Sequence, residues 1–95
     1  MRQVLFIFTL LIAQLLTAQN FYLGADLSYV NEMEDCGAVF HENQQPKDPF
    51  EIFSEHQANI ARFRLWHTPD WTESSNLEDV EKSIGRAKAL GMTVL

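Results

Sequence analysis

The sequence predicts an α/β chain ordered strand, helix, strand, helix, strand: the N-terminal portion of a (β/α)8 TIM barrel that ends within its third strand. Three observations lead there. Apolar strand-like runs alternate with amphipathic helical segments, an order that implies parallel strands joined by right-handed crossovers. A nucleotide-binding doubly wound sheet, the competing architecture, would place a Gly-rich turn after the first strand, but "GADLSYV" follows instead. Long loops rich in Tyr, Trp, Asn and acidic residues follow both strands, which suits a barrel that binds its ligand at the C-terminal ends of the strands.

Residues 1–18 have the layout of a secretory signal peptide. Arg2 supplies the positive start, the apolar run "VLFIFTLLIAQLL" follows, and Ala18 stands at the expected cleavage point. The run is about 13 residues, short of the roughly 20 that span a bilayer. The mature chain, residues 19–95, is therefore expected to be secreted or periplasmic, with no membrane attachment after processing.

Phe21 to Leu27 suits a buried strand in which Gly24 permits close backbone approach. Tyr29 to Lys47 lacks periodicity and is expected to be a long polar loop. Asp48, Pro49 and Glu51 then provide an N-cap, a first-turn proline and a capping-box partner for a helix that carries Phe50 and Phe53. Gln57 stands where a glycine would end that helix. Asn59 to Trp66 is the second strand, and "HTPDWTESS" the second loop, broken by Pro69. Ser75 or Asn76 caps a second helix with Glu78 and Asp79 at its positive end and Arg86 and Lys88 at its negative end. Leu77, Val80, Ile84 and Ala87 form its apolar stripe, Gly91 closes it, and Met92 to Leu95 opens a third strand.

Composition narrows the class. Without residues 1–18 the chain has 95 − 18 = 77 residues, a size at which a secreted domain usually needs several disulfides. The single cysteine, Cys36, allows no intrachain bridge and, having no basic neighbour, is expected to be a buried inert thiol. With 46% apolar residues the expectation is the first part of a larger globular protein. A net charge of −6, with only seven Lys and Arg, argues against nucleic-acid partners.

The second strand poses a question, because Arg62 and Arg64 alternate with apolar residues. Ile60, Arg62, Arg64 and Trp66 share one face, and Ala61, Phe63 and Leu65 share the other. In a barrel the second set would pack on the helices and the arginines would point inward. A surface strand with two solvated arginines has the same pattern. Asp26, Ser28 and Tyr29 fall at the end of the first strand, where ligand-binding groups gather in a parallel sheet, although Asp and Ser also serve turns. Trp66 and Trp71 bracket the second loop, able either to stack on sugar faces or to pack the loop. Glu32, Glu34 and Asp35 lie too close together in sequence to flank a glycosidic bond, and are expected to be solvated or networked with Arg62 or Arg64. His41, His56 and His67 share no metal-ligand spacing, and no metal site is expected.

Taken together, "GADLSYVNEMEDCGAVF", "PKDPFEIF", "NIARFRLWHTPDW" and "NLEDVEKSIGRAKALGMTVL" resemble the start of glycoside hydrolase family 53, the secreted endo-β-1,4-galactanases that cut the galactan side chains of pectin. The resemblance covers nearly all of residues 21–95, and His41 and Gln57 depart from it where Arg and Gly are usual. It implies a (β/α)8 barrel, a retaining mechanism, arabinogalactan type I as substrate and a monomeric protein. It places both catalytic glutamates after the fourth and seventh strands, beyond Leu95. Residues 19–95 are thus expected to hold no catalytic residue, and to be inactive alone. The calcium of bacterial members is likewise expected beyond Leu95, so no cofactor is expected in this part. Asn59-x-x-Arg62 resembles the pattern of the second-strand arginine that reaches the nucleophilic carboxylate, with Arg64 in support. With that carboxylate beyond Leu95, both arginines are expected to be uncompensated. Asp26, Ser28, Tyr29 and Trp66 become expected substrate-binding residues. A related β-glycanase such as a mannanase, or a small secreted sugar-binding module, are the alternatives.

Overall fold

A computed structural model describes residues 1–15 and 20–95. The expected cleavage point at Ala18 lies outside the described residues. Helix α1 spans Arg2–Leu15, and its residues Val4 to Phe8 are exposed despite being apolar. No helix among the described residues is long and apolar enough to cross a membrane.

From Gly24 onward the chain is α/β. Strands β1 (Gly24–Asp26), β4 (Ile60–Arg62) and β5 (Thr93–Val94) form one parallel sheet in the order β1-β4-β5. Consecutive parallel strands need crossovers, and these contain α3 (Pro49–Glu55) and α4 (Leu77–Ala89). The strands are shorter than their apolar runs. Asn59 explains part of this at β1: its Oδ1 accepts from Leu23 N at 3.0 Å, and its Nδ2 donates to Phe21 O at 2.7 Å. Leu23 O still accepts from Asn59 N at 2.9 Å, but the Asn59 side chain serves Leu23 N and Phe21 O, so the regular ladder starts only at Gly24.

The segment expected to be an irregular loop is folded. It contains helix α2 (Val30–Asp35) and a hairpin of β2 (His41–Glu42) and β3 (Gln45–Pro46). Asn43 and Gln44 turn the hairpin with φ of 51° and 65°, the pair of positive angles that a two-residue type I′ connection requires. Neither piece has the length for a periodic signal. Lys47 fastens the hairpin to α3 by pairing with Glu42, at 2.8 Å, and with Glu55, while His56 also meets Glu42. These bonds, that to Glu42 first, raise the pKa of Lys47 above the usual lysine value.

Helices α2, α3 and α4 end alike. Ala38 N, Ala58 N and Met92 N reach back to Met33 O, Phe53 O and Ala87 O, and the residue before each bonds in the pattern of a Schellman motif. The turning residue has positive φ in all three: Gly37 at 93°, Gln57 at 74° and Gly91 at 72°. Asp48 caps α3 through Phe50 N at 2.8 Å, with Glu51 exposed, and Asn76 caps α4 through Asp79 N at 2.9 Å.

The core lies between the sheet and its helices. Ala61 and Phe50 are fully buried, joined by Leu27, Val30, Ala58, Ala87 and Met92. Phe63 packs against this cluster, its ring stacked 6.1 Å from that of Phe50. Several expectations on packing are corrected. Phe21 to Leu23, expected in a buried strand, are exposed because they precede the ladder that starts at Gly24. Leu65 is exposed, because β4 ends at Arg62 and the strand alternation ends with it; Leu77 is exposed because it starts the first turn of α4. Cys36 is exposed too, carried on the last turn of α2 at the surface.

Candidate active site

At the C-terminal ends of β1 and β4 the register pairs Asp26 with Arg62. Arg62 Nη1 donates to Asp26 Oδ2 at 3.2 Å, so Arg62 is compensated, contrary to expectation. The nearest carboxylate comes from the neighbouring strand of the same sheet, a pairing invisible until the register is known. Gly24, Asp26, Ile60, Arg62 and Leu95 line a depression of about 260 Å³ beside this pair. Its walls come from the Arg62 face of β4, opposite the face that buries Ala61.

Asp26 Oδ1 also accepts from the Ser28 hydroxyl at 2.5 Å and from Ser28 N at 3.0 Å. These bonds, the hydroxyl's first, hold the carboxyl pKa below its usual value, with Arg62 and Arg64 adding to the effect. Asp26 is therefore a carboxylate at neutral pH, acting as an acceptor only.

Arg64 is held differently. Its backbone N donates to Ser28 Oγ at 2.8 Å, and its guanidinium lies over two rings, 4.5 Å from the centre of Tyr29 and 5.2 Å from that of Trp66. Both distances fall within cation–π range. Its Nε is buried without a hydrogen-bond acceptor among the described residues. Trp66 meets Trp71 edge to face at 6.0 Å, and Trp66 N donates to Ser75 O at 2.8 Å, tying the second loop to the start of α4.

The expected site residues thus come together. Asp26, Tyr29, Arg62 and Trp66 are exposed, Arg64 is half-buried, and Ser28 is buried at 5% exposure. An exposed acid, two cationic guanidinium groups and flat aromatic faces suit a polyhydroxylated ligand: the ions bond hydroxyl groups and the rings cover apolar sugar faces. Among the described residues no group of three or more His, Cys, Asp or Glu side chains converges to hold a metal ion.

A second polar cluster was not foreseen. Arg86 makes two bonds with Glu34, at 2.8 and 3.0 Å, one with Asp48 at 3.0 Å and one with Asn31 Oδ1 at 2.6 Å. Asn31, 1% exposed, donates in turn to Asp79 Oδ1 and Ser83 Oγ, each at 2.8 Å. Glu34 therefore networks with Arg86 and not with Arg62 or Arg64. Asp79 accepts additionally from Ser75 N at 2.6 Å. The cluster joins α2 and α4 to Asp48, the N-cap of α3. In sequence Arg86 has the appearance of a helix-end charge, and only its 52-residue separation from Glu34 conceals the pair.

The family model described as glycosyl hydrolase family 53 matches residues 22–95. The chain belongs to glycosyl hydrolase family 53. All the residues of both clusters fall within that match. The chain is 52% identical over 75 residues to the arabinogalactan endo-beta-1,4-galactanase of Cellvibrio japonicus, a match covering 79% of this chain and 20% of that protein. It is 33% identical over 85 residues to the endo-beta-1,4-galactanase of Bacillus subtilis, covering 81% of this chain and 20% of that protein. The chain thus spans about one fifth of the length of these two relatives.

Proposed function

We propose that this chain forms the opening part of a secreted endo-β-1,4-galactanase that acts on arabinogalactan type I with retention of configuration. The observation that carries the reading is the 52% identity to a galactanase, in a chain whose family match includes Asp26, Arg62, Arg64 and Trp66. The parallel order β1-β4-β5, with polar groups at the C-terminal ends of β1 and β4, supports a (β/α)8 barrel continuing past β5. The exposed apolar residues Val4 to Phe8 on α1 support a signal peptide.

In this reading Asp26, Tyr29 and Trp66 contact the sugar chain, the aromatic faces covering its apolar side and Asp26 accepting from hydroxyls. Arg62 is held by Asp26 with most of its guanidinium free to face a catalytic carboxylate across the barrel. A cation there keeps such a group ionised and aimed. The catalytic glutamates belong to strands beyond Leu95, so residues 19–95 alone are inactive.

The test is expression of the full-length protein with its own N-terminus, followed by digestion of β-1,4-galactan. Export should leave a protein starting within two or so residues of Gln19. Internal cleavage with a β-configured first product, seen by proton NMR, is expected, and none from residues 19–95. Preference for mannan would move the protein to another β-glycanase specificity. Glycan binding without cleavage would make it a sugar-binding module.

A further inference from the structure

Ser28 has the burial and bonding of a part that holds other parts. Its hydroxyl proton goes to Asp26 Oδ1 at 2.5 Å, and its oxygen accepts from Arg64 N at 2.8 Å. At 5% exposure little of it is open to a ligand. The sheet register explains the second bond. Gly24, Ala25 and Asp26 face Ile60, Ala61 and Arg62, a constant offset of 36, and Ser28 and Arg64 keep that offset two places further on. The main chain has already turned there: Val30 N donates back to Leu27 O as α2 begins. The Ser28 side chain thus supplies the acceptor that a continuing strand would have supplied from its backbone.

This has a consequence for the cationic group above it. Tyr29 is the next residue, so the same turn places the ring on which the Arg64 guanidinium lies at 4.5 Å. One hydroxyl therefore fixes the Arg64 main chain, while its neighbour presents the aromatic face. Asp26 orients the hydroxyl and, through its other oxygen, holds Arg62 at 3.2 Å. We infer that Ser28 is a positioning residue, which sets Arg64 and its stack on Tyr29 and Trp66 by carrying the β1–β4 register past the end of the ladder, and that it does not contact substrate. The inference rests on the galactanase reading for its catalytic consequence, and replaces the expectation that Ser28 binds substrate.

The test uses the full-length protein and Ser28→Ala, Ser28→Thr and Arg64→Lys. On β-1,4-galactan, Ser28→Ala should lower kcat by about tenfold with KM within about twofold, as expected when a group is misplaced and no ligand contact is lost. Ser28→Thr, which keeps the hydroxyl, should restore the rate to within about threefold of wild type. On the Arg64→Lys background, Ser28→Ala should cost less than about twofold more, since both changes act on one group. A rise in KM at unchanged kcat would make Ser28 a substrate contact and overturn the inference, as would an undiminished loss in the double variant. Hydrogen exchange at the Arg64 amide reads the bond without substrate: protection should persist in Ser28→Thr and fall in Ser28→Ala. Unchanged protection in Ser28→Ala overturns the positioning role. Lost protection in a protein that cleaves no galactan upholds the placement of Arg64 and rejects the galactanase reading instead. Ser28→Cys, similar in size but a weaker acceptor, carries the same comparisons should Ser28→Ala fail to fold.

Discussion

Arg86 lies with its guanidinium carbon 4.3 Å from the centre of the Phe50 ring, and that ring is fully buried. The cation thus covers the core while its nitrogens bond Glu34, Asp48 and Asn31. Burial opposes its charge, but Glu34 and Asp48 more than offset this, and its pKa stands above the usual arginine value. Arg86→Ala leaves two carboxylates and the buried Asn31 carbonyl without their partner. A loss of about 2–4 kcal/mol in the denaturation midpoint analysis of the full-length protein is expected. Arg86→Lys should recover only part of it, because an ammonium lacks the planar fork that bonds Glu34 twice.

Gly24 touches Ile60 across the β1–β4 ladder. A Cβ at Gly24 would lie 2.4 Å from Ile60 Cγ2 and 3.1 Å from Ile60 O. Gly24→Ala must push the strands apart, and a destabilisation of about 1–3 kcal/mol is expected. Gly24→Ala combined with Ile60→Ala removes the methyl clash but not the carbonyl contact. The double variant should therefore lose less than the sum of the single variants in thermal unfolding, while remaining below wild type.

Gln57 occupies the left-handed turn that Gly37 and Gly91 occupy at the ends of α2 and α4. A side chain there costs more than glycine's added freedom in the unfolded chain. Gln57→Gly should raise stability by about 0.5–1 kcal/mol, seen as a higher thermal midpoint. A fall would mean that the exposed Gln57 side chain makes a compensating contact.

Asp26 gives a pH dependence of known sign. Its folded pKa lies below the reference value of 3.8, chiefly through Ser28 and then through Arg62 and Arg64. The ionised group therefore contributes its stabilisation fully above that reference pH, and the contribution is lost as pH falls through the folded value. Asp26 is well exposed, so the effect should be small. Thermal midpoints of wild type and Asp26→Asn should differ at neutral pH and converge on acidification below 3.8. A gap that stayed constant to low pH would assign the difference to packing.

The sequence by itself determined the elements whose signals are local. Asp48 before Pro49 and the Ser75-Asn76 pair before "LEDV" announced their helices, the structure choosing Asn76 of that pair, and Gly91 announced an end, because caps are made by side chains within a few residues of the bonds they satisfy. The parallel β-α-β order followed from alternation, and the candidate residues could be named from position alone: Asp26 and Arg62 end β1 and β4, and Ser28, Tyr29, Arg64 and Trp66 follow within four residues. Tertiary structure alone decided the partners. Asp26 meets Arg62 only once the register is set, and Glu34 meets Arg86 only when α2 and α4 lie side by side. Helix α2 and the Asn43-Gln44 hairpin were illegible because six residues and two short strands are too brief for periodicity to accumulate. Charge carries no address in sequence: the same arginine can cap a helix, face solvent or close a buried network, and the choice depends on which carboxylate packing brings within about 3 Å of it.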